Sequence, residues 1–198
     1  QGLDKARLDE ELRTASHIQQ MLLPPGRRVG PGFEAVGASI PSRVIGGDFF
    51  DYADLPDRRL AFTLGDVAGK GPSAALLAAL LQGMFSLAAQ DDDDPASLMA
   101  RVNVALCRRA LESRFATLFH GILEPGGRLV YCNGGHNAPF IVGPSGVRRL
   151  ETGGPVVGIL EGAAFADGVE QLLPGDVVLV FSDGVSEAPN PCGEEYGD

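Results

Sequence analysis

The sequence predicts an α+β fold in which mainly antiparallel strands form layers with helices. Two observations support this class. Short strand-like runs come first, two helix-like segments follow, and strand-like runs then return, an order typical of α+β layers. In addition, 27 glycines, 7% aromatic residues and no tryptophan indicate many tight turns. The 198 residues are enough for one globular domain and an appendage.

The first 25 residues are predicted to form a linker helix that precedes a domain of residues 26–198. Apolar residues recur at three- and four-residue steps through residues 3–23, and two prolines then end the helix. The stripe is narrow and its outer face is charged, which suits a two-helix, coiled-coil-like seam. Two interpretations stay open: the helix docks on its own domain, or it joins two copies of the chain. The stripe consists of Leu8, Leu12, Ala15, Ile18 and Leu22.

The elements of the domain follow from hydrophobic patterning. Alternating or continuous apolar runs predict strands, and these runs are 33–40, 48–55, 59–67, 116–125, 128–135, 139–143 and 176–184. Helices are predicted over 73–90 and 95–112. The first of these helices is apolar on nearly all sides, so we expect it to be buried or to be packed against on two sides.

Composition excludes several classes of function. The net charge of −10 disfavours nucleic acid as a partner, because an acidic protein repels phosphate backbones. No segment approaches the ~20 apolar residues of a membrane span, and no signal-peptide pattern is present. Three cysteines without C-x-x-C spacing predict reduced thiols. Together these features predict a cytoplasmic protein.

A glycine-rich turn at residues 65–73, GDVAGKGPS, has some features of a nucleotide-binding loop around Lys70. A P-loop requires G-x-x-x-x-G-K followed directly by Ser or Thr. Here three residues separate the two leading glycines, and Gly71 stands where the hydroxyl is required. Pro72 also removes a backbone N–H at the start of the helix. A P-loop nucleotidase is therefore the weaker interpretation of this turn.

Three aspartates are predicted where an apolar strand meets a glycine turn. Asp48 follows two glycines, Asp66 ends the run LAFTLGD, and Asp183 ends the run VVLVFSD. Such positions let a side chain leave the core while the backbone approaches a ligand. Each aspartate alone is better explained as a turn residue. Buried together they need a neutralising cation, and an all-oxygen ligand set suits Mg²⁺ or Mn²⁺.

Four motifs in this order resemble the SpoIIE/RsbU branch of the PPM-type, metal-dependent serine/threonine phosphatases: VIGGDFFDY, GDVAGKGPSAALL, YCNGGHNAPF and LVFSDGVSEA. The segment ASHIQQMLLPP resembles the linker helix that precedes such domains. The resemblance implies a sandwich of two mainly antiparallel β-sheets flanked by helices, with two Mn²⁺ or Mg²⁺ ions at one end. It also implies that the domain is C-terminally incomplete. A final helix and strand, with a further metal-binding aspartate, are expected beyond residue 198, and their loss would weaken activity.

The resemblance also implies roles for individual residues. Asp48, Asp66 and Asp183 match metal ligands, with Asp66 bridging the two ions, and the carbonyl of Val67 matches a backbone ligand. No protein side chain acts as the nucleophile, because a metal-bridged water attacks the phosphoserine or phosphothreonine. Further candidates beside the metals or toward the substrate are Asp51, Lys70, His136 and Arg43. Lys70 as an exposed turn residue and His136 as a hydrogen-bonding turn residue are the structural alternatives.

The same resemblance implies a place in bacterial signal transduction. The expected substrate is a phosphorylated anti-anti-sigma protein of the STAS type, so that hydrolysis would release a sigma factor. An upstream sensor or receiver domain would signal through the N-terminal helix, which is also the expected homodimer contact. The competing hypothesis is a catalytically weak or inactive pseudophosphatase that uses the same surface to bind a partner.

Overall fold

Two facing β-sheets form the centre of the molecule in the computed structural model, which describes residues 2–41, 44–88, 94–109 and 115–197. The helices are α1 (Gly2–Leu22), α2 (Pro72–Ala88), α3 (Pro95–Cys107) and α4 (Asp183–Ser186). The first strands are β1 (Arg27–Gly30), β2 (Phe33–Val36), β3 (Phe49–Asp54), β4 (Leu60–Val67), β5 (Ala116–Leu123) and β6 (Arg128–Gly134). The later strands are β7 (Phe140–Gly143), β8 (Gly146–Arg149), β9 (Gly153–Gly154), β10 (Gly168–Gln171) and β11 (Val177–Leu179).

Strand pairing is antiparallel almost throughout. Within the described residues, the larger sheet has six strands in the order β10-β6-β5-β4-β3, with the short β9 beside β6. The smaller sheet has the order β11-β7-β8, and β1 and β2 form a separate hairpin. Only the pairing of β6 with β9 is parallel among these described ladders. The predicted α+β class with mainly antiparallel sheets is confirmed.

The two sheets pack face to face over an apolar cluster. Phe119, Leu129 and Tyr131 of the larger sheet meet Ile141 of β7, and Leu150 completes the cluster. The rings of Phe119 and Tyr131 are stacked with their centroids 5.6 Å apart. Each large side chain buried in this way contributes about 1.5–3 kcal/mol. This cluster holds the two layers together.

The other face of the larger sheet carries α2 and α3. Leu81 and Phe85 of α2 and Met99 of α3 are at most 1% exposed, and they pack with Leu118 of β5. Leu118 faces the helices while its neighbour Phe119 faces the second sheet, as the two-residue period of a strand requires. The larger sheet is therefore covered on both faces.

Several predicted boundaries differ from the structure. The strand predicted at 33–40 ends at Val36, and the strand predicted at 176–184 consists of Val177–Leu179 only. The helix predicted over 73–90 spans Pro72–Ala88, and the helix predicted over 95–112 spans Pro95–Cys107. Residues 89–93 and 110–114, on which the ends of both helices were predicted, lie outside the described residues. The sequence analysis did not predict β1, β8, β9 or β10.

Of the two alternatives predicted for α2, full burial is wrong, whereas packing on two sides agrees with its contacts with the larger sheet and with α3. Leu76 and Leu87 are each 74% exposed, and Leu80 lies on the same side of the helix. This face has no partner element among the described residues, because α2 packs on the larger sheet with its opposite face.

The N-terminal helix forms as predicted, and it contacts the domain near its C-terminal end. The side chains of residues 4–11 are mostly exposed. Near the other end, Gln82 of α2 donates a hydrogen bond of 2.7 Å from Nε2 to the carbonyl of Leu22. Among the residues that the structure describes, no helix combines the length and apolar character needed to cross a lipid bilayer.

Candidate metal centre

Asp48, Asp66 and Asp183 converge at one end of the space between the two sheets. Asp48 directly precedes β3, Asp66 lies near the end of β4, and Asp183 is the first residue of α4. The carboxyl groups of Asp48 and Asp66 share a hydrogen bond, and Asp183 acts electrostatically on Asp66. Ser182 donates a hydrogen bond of 2.8 Å to Asp48 Oδ2, which links the entrance of β3 to the start of α4. The three predicted aspartates thus belong to one cluster.

Strand periodicity directs Asp66 toward the space between the sheets. Along β4, Val67 and Thr63 face the helices, where Val67 joins the apolar core. Leu64 and Asp66 therefore face the second sheet, and Leu64 lines the groove there. An alternating strand accounts for both the buried valine and the functional carboxylate beside it.

A fourth carboxylate, Glu187, belongs to the same electrostatic cluster, and the sequence analysis missed it. Its negative charge acts on Asp66 together with those of Asp48 and Asp183. Glu187 follows α4, and its backbone N–H donates to the carbonyl of Asp183 at 2.7 Å. The i,i+4 spacing of Asp183 and Glu187 would place both acids on one side of a helix. The sequence predicts a strand over 176–184 and no element at Glu187, so this spacing was not recognised as a signal.

Crowding of these carboxylates shows in the pKa of Asp66. Burial, followed by the hydrogen bond and charge of Asp48 and the charges of Asp183 and Glu187, raises this pKa to about 7. Carboxylates that repel one another in this way are suited to binding a hard divalent cation, because such a cation prefers oxygen ligands and offsets their negative charge. Within the described residues, no three His, Cys, Asp or Glu side chains are close enough to hold one ion as they stand. A cation would therefore have to draw the carboxylates closer together.

The backbone around Val67 is packed tightly against the segment that carries Asp48. The N–H of Val67 donates to the carbonyl of Gly47 at 3.4 Å. A Cβ atom added at Gly47 would lie 2.7 Å from the carbonyl oxygen of Val67 and 3.4 Å from Cβ of Ala74. Glycine is therefore required at position 47. This packing sets the Val67 carbonyl beside the Asp48 loop.

His136 lies on the same side of the larger sheet as Asp66. Thr117 is the residue of β5 opposite Asp66, and its Oγ1 lies 2.8 Å from Nδ1 of His136. Asn133 fixes the turn, because its side chain accepts from the N–H of His136 at 2.7 Å and donates to its carbonyl at 3.1 Å. These contacts agree with the turn-stabilising alternative for His136, and they also direct the ring toward the centre.

The imidazole of His136 is held in its neutral form. Burial lowers its pKa to about 4, although the backbone of Phe181 and the charge of Asp48 act in the opposite direction. Nε2 of His136 is buried and has no hydrogen-bond partner among the described residues. A neutral ring can offer this nitrogen to a group bound beside Asp48.

Asp51 is not part of this cluster. It lies on the helix-facing side of the larger sheet, in a row with Thr63 of β4 and His120 of β5. Its carboxyl interacts with the side chains of Gln82 and Ser86 on α2. Burial raises the pKa of Asp51, and these hydrogen bonds oppose the increase. The structure therefore separates Asp51 from Asp48 by the thickness of the sheet.

The two predicted basic residues differ in what the structure says of them. Lys70 is exposed in the turn between β4 and α2, as its structural alternative predicted. Arg43 lies outside the described residues. Among the described residues, neither predicted basic side chain is therefore seen to bring a positive charge to the carboxylate cluster.

A groove of about 590 Å³ runs between the sheets and ends at Asp48. Its walls are mainly apolar, and polar groups are concentrated near α4, where Ser182 and Gly184 meet Asp48. Large side chains on the walls are Ile40, Phe49, Phe50, Leu64, Phe140, Leu179, Phe181 and Tyr196. The carboxylate cluster is therefore reached from an open, apolar surface and is not enclosed.

Comparison with known proteins places these features in context. A family model described as Stage II sporulation protein E (SpoIIE) matches residues 56–198. The chain is 27% identical over 196 residues to phosphoserine phosphatase RsbU of Bacillus subtilis (strain 168), covering 96% of this chain and 56% of RsbU. It is 28% identical over 216 residues to protein IcfG of Synechocystis sp., covering 94% of this chain and 34% of IcfG. The chain thus spans between about a third and just over half of these relatives.

The fold also matches solved structures. The SiaA-PP2C domain of Pseudomonas aeruginosa superimposes with a TM-score of 0.80 at 20% identity, over 100% of this chain and 81% of that domain. At this identity the likeness establishes the fold alone. The sandwich, the outer helices and the N-terminal helix therefore all have counterparts within one known architecture.

Proposed function

The chain belongs to the SpoIIE family of PPM-type phosphatase domains, and on that premise we propose that it is a metal-dependent serine/threonine protein phosphatase. The reaction is hydrolysis of phosphoserine or phosphothreonine on a regulatory partner protein. The observation that carries the proposal is the convergence of Asp48, Asp66 and Asp183 at the end of an open groove. One relative is named for this kind of reaction, the phosphoserine phosphatase RsbU.

Two Mn²⁺ or Mg²⁺ ions are the cofactors that this cluster suits. Asp48, Asp66 and Asp183 would hold them, together with the carbonyl of Val67. When bound, such ions offset the charge of the phosphoryl oxygens and activate the attacking water. Glu187 adds negative charge at the same place, which favours cations further.

The remaining residues of the centre orient these ligands. Ser182 holds one oxygen of Asp48 through its hydroxyl, and this leaves the other oxygen for a cation. His136, locked by Thr117 and Asn133, presents a neutral nitrogen at the edge of the centre. Because this side chain is neutral, it would accept or donate a hydrogen bond there without repelling a cation.

The pseudophosphatase alternative is less favoured. It requires that the surface binds a partner without turnover, yet three of the carboxylates expected to bind metal, Asp48, Asp66 and Asp183, are present and clustered. A P-loop function is also disfavoured, because Lys70 lies exposed at the turn and no hydroxyl residue follows it.

A phosphorylated STAS-type protein is the substrate that we propose, with release of a sigma factor as the consequence. Its support is the similarity to RsbU and the membership of the SpoIIE family. The groove supports a protein substrate, because its wide apolar walls suit contact with the surface around a phosphorylated residue. The cytoplasm is the proposed compartment.

We further propose that α1 receives signals from an upstream sensor or receiver domain and pairs with α1 of a second copy. The support is the exposure of apolar side chains along the helix: Leu8 is 56% exposed, Ile18 50% and Leu22 50%. Sedimentation velocity of the chain and of Leu8→Glu tests the pairing. A dimer that the substitution dissociates is the expected result, and a monomer at all concentrations contradicts it.

Phosphate release tests the catalytic proposal. The chain, with Mn²⁺ added, should release phosphate from p-nitrophenyl phosphate and from a phosphoserine peptide. Asp66→Asn should reduce the rate by more than about tenfold, the usual size of a metal-site defect. Asp9→Asn, which removes an exposed carboxylate on α1, is the matched control and should retain the rate.

The result that overturns the catalytic proposal is equally specific. It is an absence of metal-dependent release by the chain, or release that Asp66→Asn leaves intact. Phosphate release that requires ATP and is abolished by Lys70→Ala alone would instead favour a nucleotidase.

A further inference from the structure

The side chain of Gln19 on α1 makes two hydrogen bonds to the backbone of one residue in the metal centre's loop. Its Nε2 donates to the carbonyl of Gly46 at 2.7 Å, and its Oε1 accepts from the N–H of Gly46 at 3.4 Å. A primary amide thereby pairs with one residue as a neighbouring β-strand would. Both contacts are partly buried, and the two residues are 27 positions apart in the chain.

Gly46 is two residues before Asp48, so this pairing acts on the segment that presents a metal-binding carboxylate. The same segment is held from its other side, where the N–H of Val67 donates to the carbonyl of Gly47 at 3.4 Å. Asp48 is itself held by Ser182. The loop is therefore fixed between α1 on one side and β4 and α4 on the other.

The position of Gln19 depends on how α1 sits against α2. Gln82 is 7% exposed, and its Nε2 bonds to the carbonyl of Leu22 at 2.7 Å, one helical turn beyond Gln19. Leu23, directly after α1, packs against the core formed by α2 and α3. These contacts anchor the C-terminal end of α1, whereas residues 4–11 extend away from the domain with exposed side chains.

We infer that Gln19 is a positioning residue for the metal centre, and that it fixes Asp48 by holding the backbone of Gly46. The inference rests on the proposed function, because it concerns how the cation ligands are arranged. Preorganised ligands bind a metal more tightly than ligands that must first be ordered, and loss of a supporting contact commonly weakens metal affinity by about tenfold. A shift of α1 relative to α2 would move Gln19 and change the arrangement of Asp48.

Amide hydrogen exchange tests the contact itself without any metal. Nuclear magnetic resonance on the 198-residue chain would follow the N–H groups of Gly46 and Gly47 in the unsubstituted chain, Gln19→Ala and Gln20→Ala. Gln20 is the next residue of the same helix and is exposed, so its substitution is the matched control. In Gln19→Ala, exchange at Gly46 should be faster by about tenfold, the factor expected when hydrogen bonds worth roughly 1–1.5 kcal/mol are lost. Gln20→Ala should leave it unchanged.

Calorimetric titration with Mn²⁺ tests the consequence for the centre. Gln19→Ala should weaken Mn²⁺ binding by about three- to tenfold, and Gln20→Ala should not. Gln19→Glu keeps the length and an acceptor oxygen but removes the donor to the Gly46 carbonyl, so weakened binding is expected here too. Activity of Gln19→Ala should return at higher Mn²⁺ with an unchanged rate at saturation, because a positioning role affects loading and not the chemical step.

The outcomes separate this inference from the proposed function. Unchanged exchange at Gly46 in Gln19→Ala, or equal Mn²⁺ affinity in all variants of a chain that binds Mn²⁺, overturns the inference and leaves the proposed function standing. If the unsubstituted chain binds no Mn²⁺, the proposed function fails, while faster exchange at Gly46 still supports the contact. If Gln19→Ala is poorly folded, Gln19→Leu, which keeps similar bulk but has neither donor nor acceptor, provides both measurements.

Discussion

The direction in which each aspartate side chain points decides which of them join the carboxylate cluster. Asp66 faces the space between the sheets, whereas Asp51 faces α2 from the opposite side of the same sheet. Phe49 shows the same rule on β3, because it lies two residues before Asp51 and joins the core on the helix-facing side. Strand periodicity could have indicated this difference from the sequence once the strand limits were known.

His120 is a deeply buried titratable group on the helix-facing side. It is 1% exposed, its Nδ1 lies 2.7 Å from Oγ1 of Thr63, and its ring contacts that of Phe85 at 5.3 Å. Its Nε2 has no hydrogen-bond partner among the described residues. Burial lowers the pKa of His120 to about 4 from 6.5, and the backbone of Phe62 opposes this. Asp51 and Tyr52 are titratable residues that line the same small cavity.

This depressed pKa predicts a pH-dependent stability difference. Since the unfolded chain binds a proton at His120 below about pH 6.5 and the folded chain only below about pH 4, stability is lost as the pH falls through this window. His120→Gln removes that loss. Chemical denaturation should show the free energy of unfolding of the unsubstituted chain declining relative to His120→Gln between these pH values. A difference that stays constant with pH contradicts the assignment, and His17→Gln on the exposed face of α1 is the control.

At the scale of elements, the Asp48 loop packs closely against the end of β4 and the start of α2. Gly47 has no room for a side chain against Val67 and Ala74. Gly83, by contrast, lies within α2 with no atom within 4 Å of an added Cβ. Substitution of Gly47 therefore tests close packing, and substitution of Gly83 tests helix propensity.

Substitution of each glycine by alanine should have opposite effects. Gly47→Ala should lower the free energy of unfolding by about 1–3 kcal/mol, because the loop must move away from β4. Gly83→Ala should raise it by about 0.5–1 kcal/mol, because alanine favours a helix and meets nothing there. Denaturant melts of both variants check this. If the two substitutions changed the free energy of unfolding equally, the Asp48 loop would have accommodated alanine at position 47 without cost, which contradicts this prediction.

The elements that sequence patterning predicted best are those with regular periodicity, such as β4 and α2. The end of β11 was predicted poorly, because the apolar run VVLVF gives no signal for its end. The structure shows why the strand ends there. Leu179 pairs with Phe140, the first residue of β7. The preceding residue, Pro139, has no N–H to continue the ladder. Phe181 then stacks on Phe140 at 5.6 Å, and the chain turns into α4.

At the scale of the whole molecule, the carboxylate cluster is a source of instability within a folded sandwich. The net charge is already −10, and Asp48, Asp66, Asp183 and Glu187 concentrate part of it at one point. Such concentrations of like charge at functional sites reduce stability, and a ligand that binds the folded state restores it. Cation binding and folding are therefore expected to be coupled.

This coupling predicts a reversal of stability order. With a chelator present, Asp66→Asn should unfold at a higher temperature than the unsubstituted chain, because one repelling charge is removed. With excess Mn²⁺, the unsubstituted chain should be the more stable, since saturation at about 100 times the dissociation constant adds about 2.7 kcal/mol. Thermal melts under both conditions check the order. An order that is the same with and without Mn²⁺ contradicts the coupling.

The three aspartates that cluster at the candidate site were identifiable from the sequence, but the contacts that support them were not. Asp48, Asp66 and Asp183 share a visible context of apolar run and glycine turn. The bond from Gln19 to Gly46 and the pair of Thr117 with His136 depend on how distant segments meet, which no local pattern encodes. Tertiary packing decides these contacts.

Mn²⁺ binding measured by isothermal titration calorimetry is the most direct test of the central claim that this cluster is a metal centre. The account predicts that the chain binds Mn²⁺ and that Asp48→Asn, Asp66→Asn and Asp183→Asn each weaken binding by more than about tenfold. Asp9→Asn should bind as the unsubstituted chain does. Absence of binding, or binding that all three substitutions leave unchanged, would contradict the account.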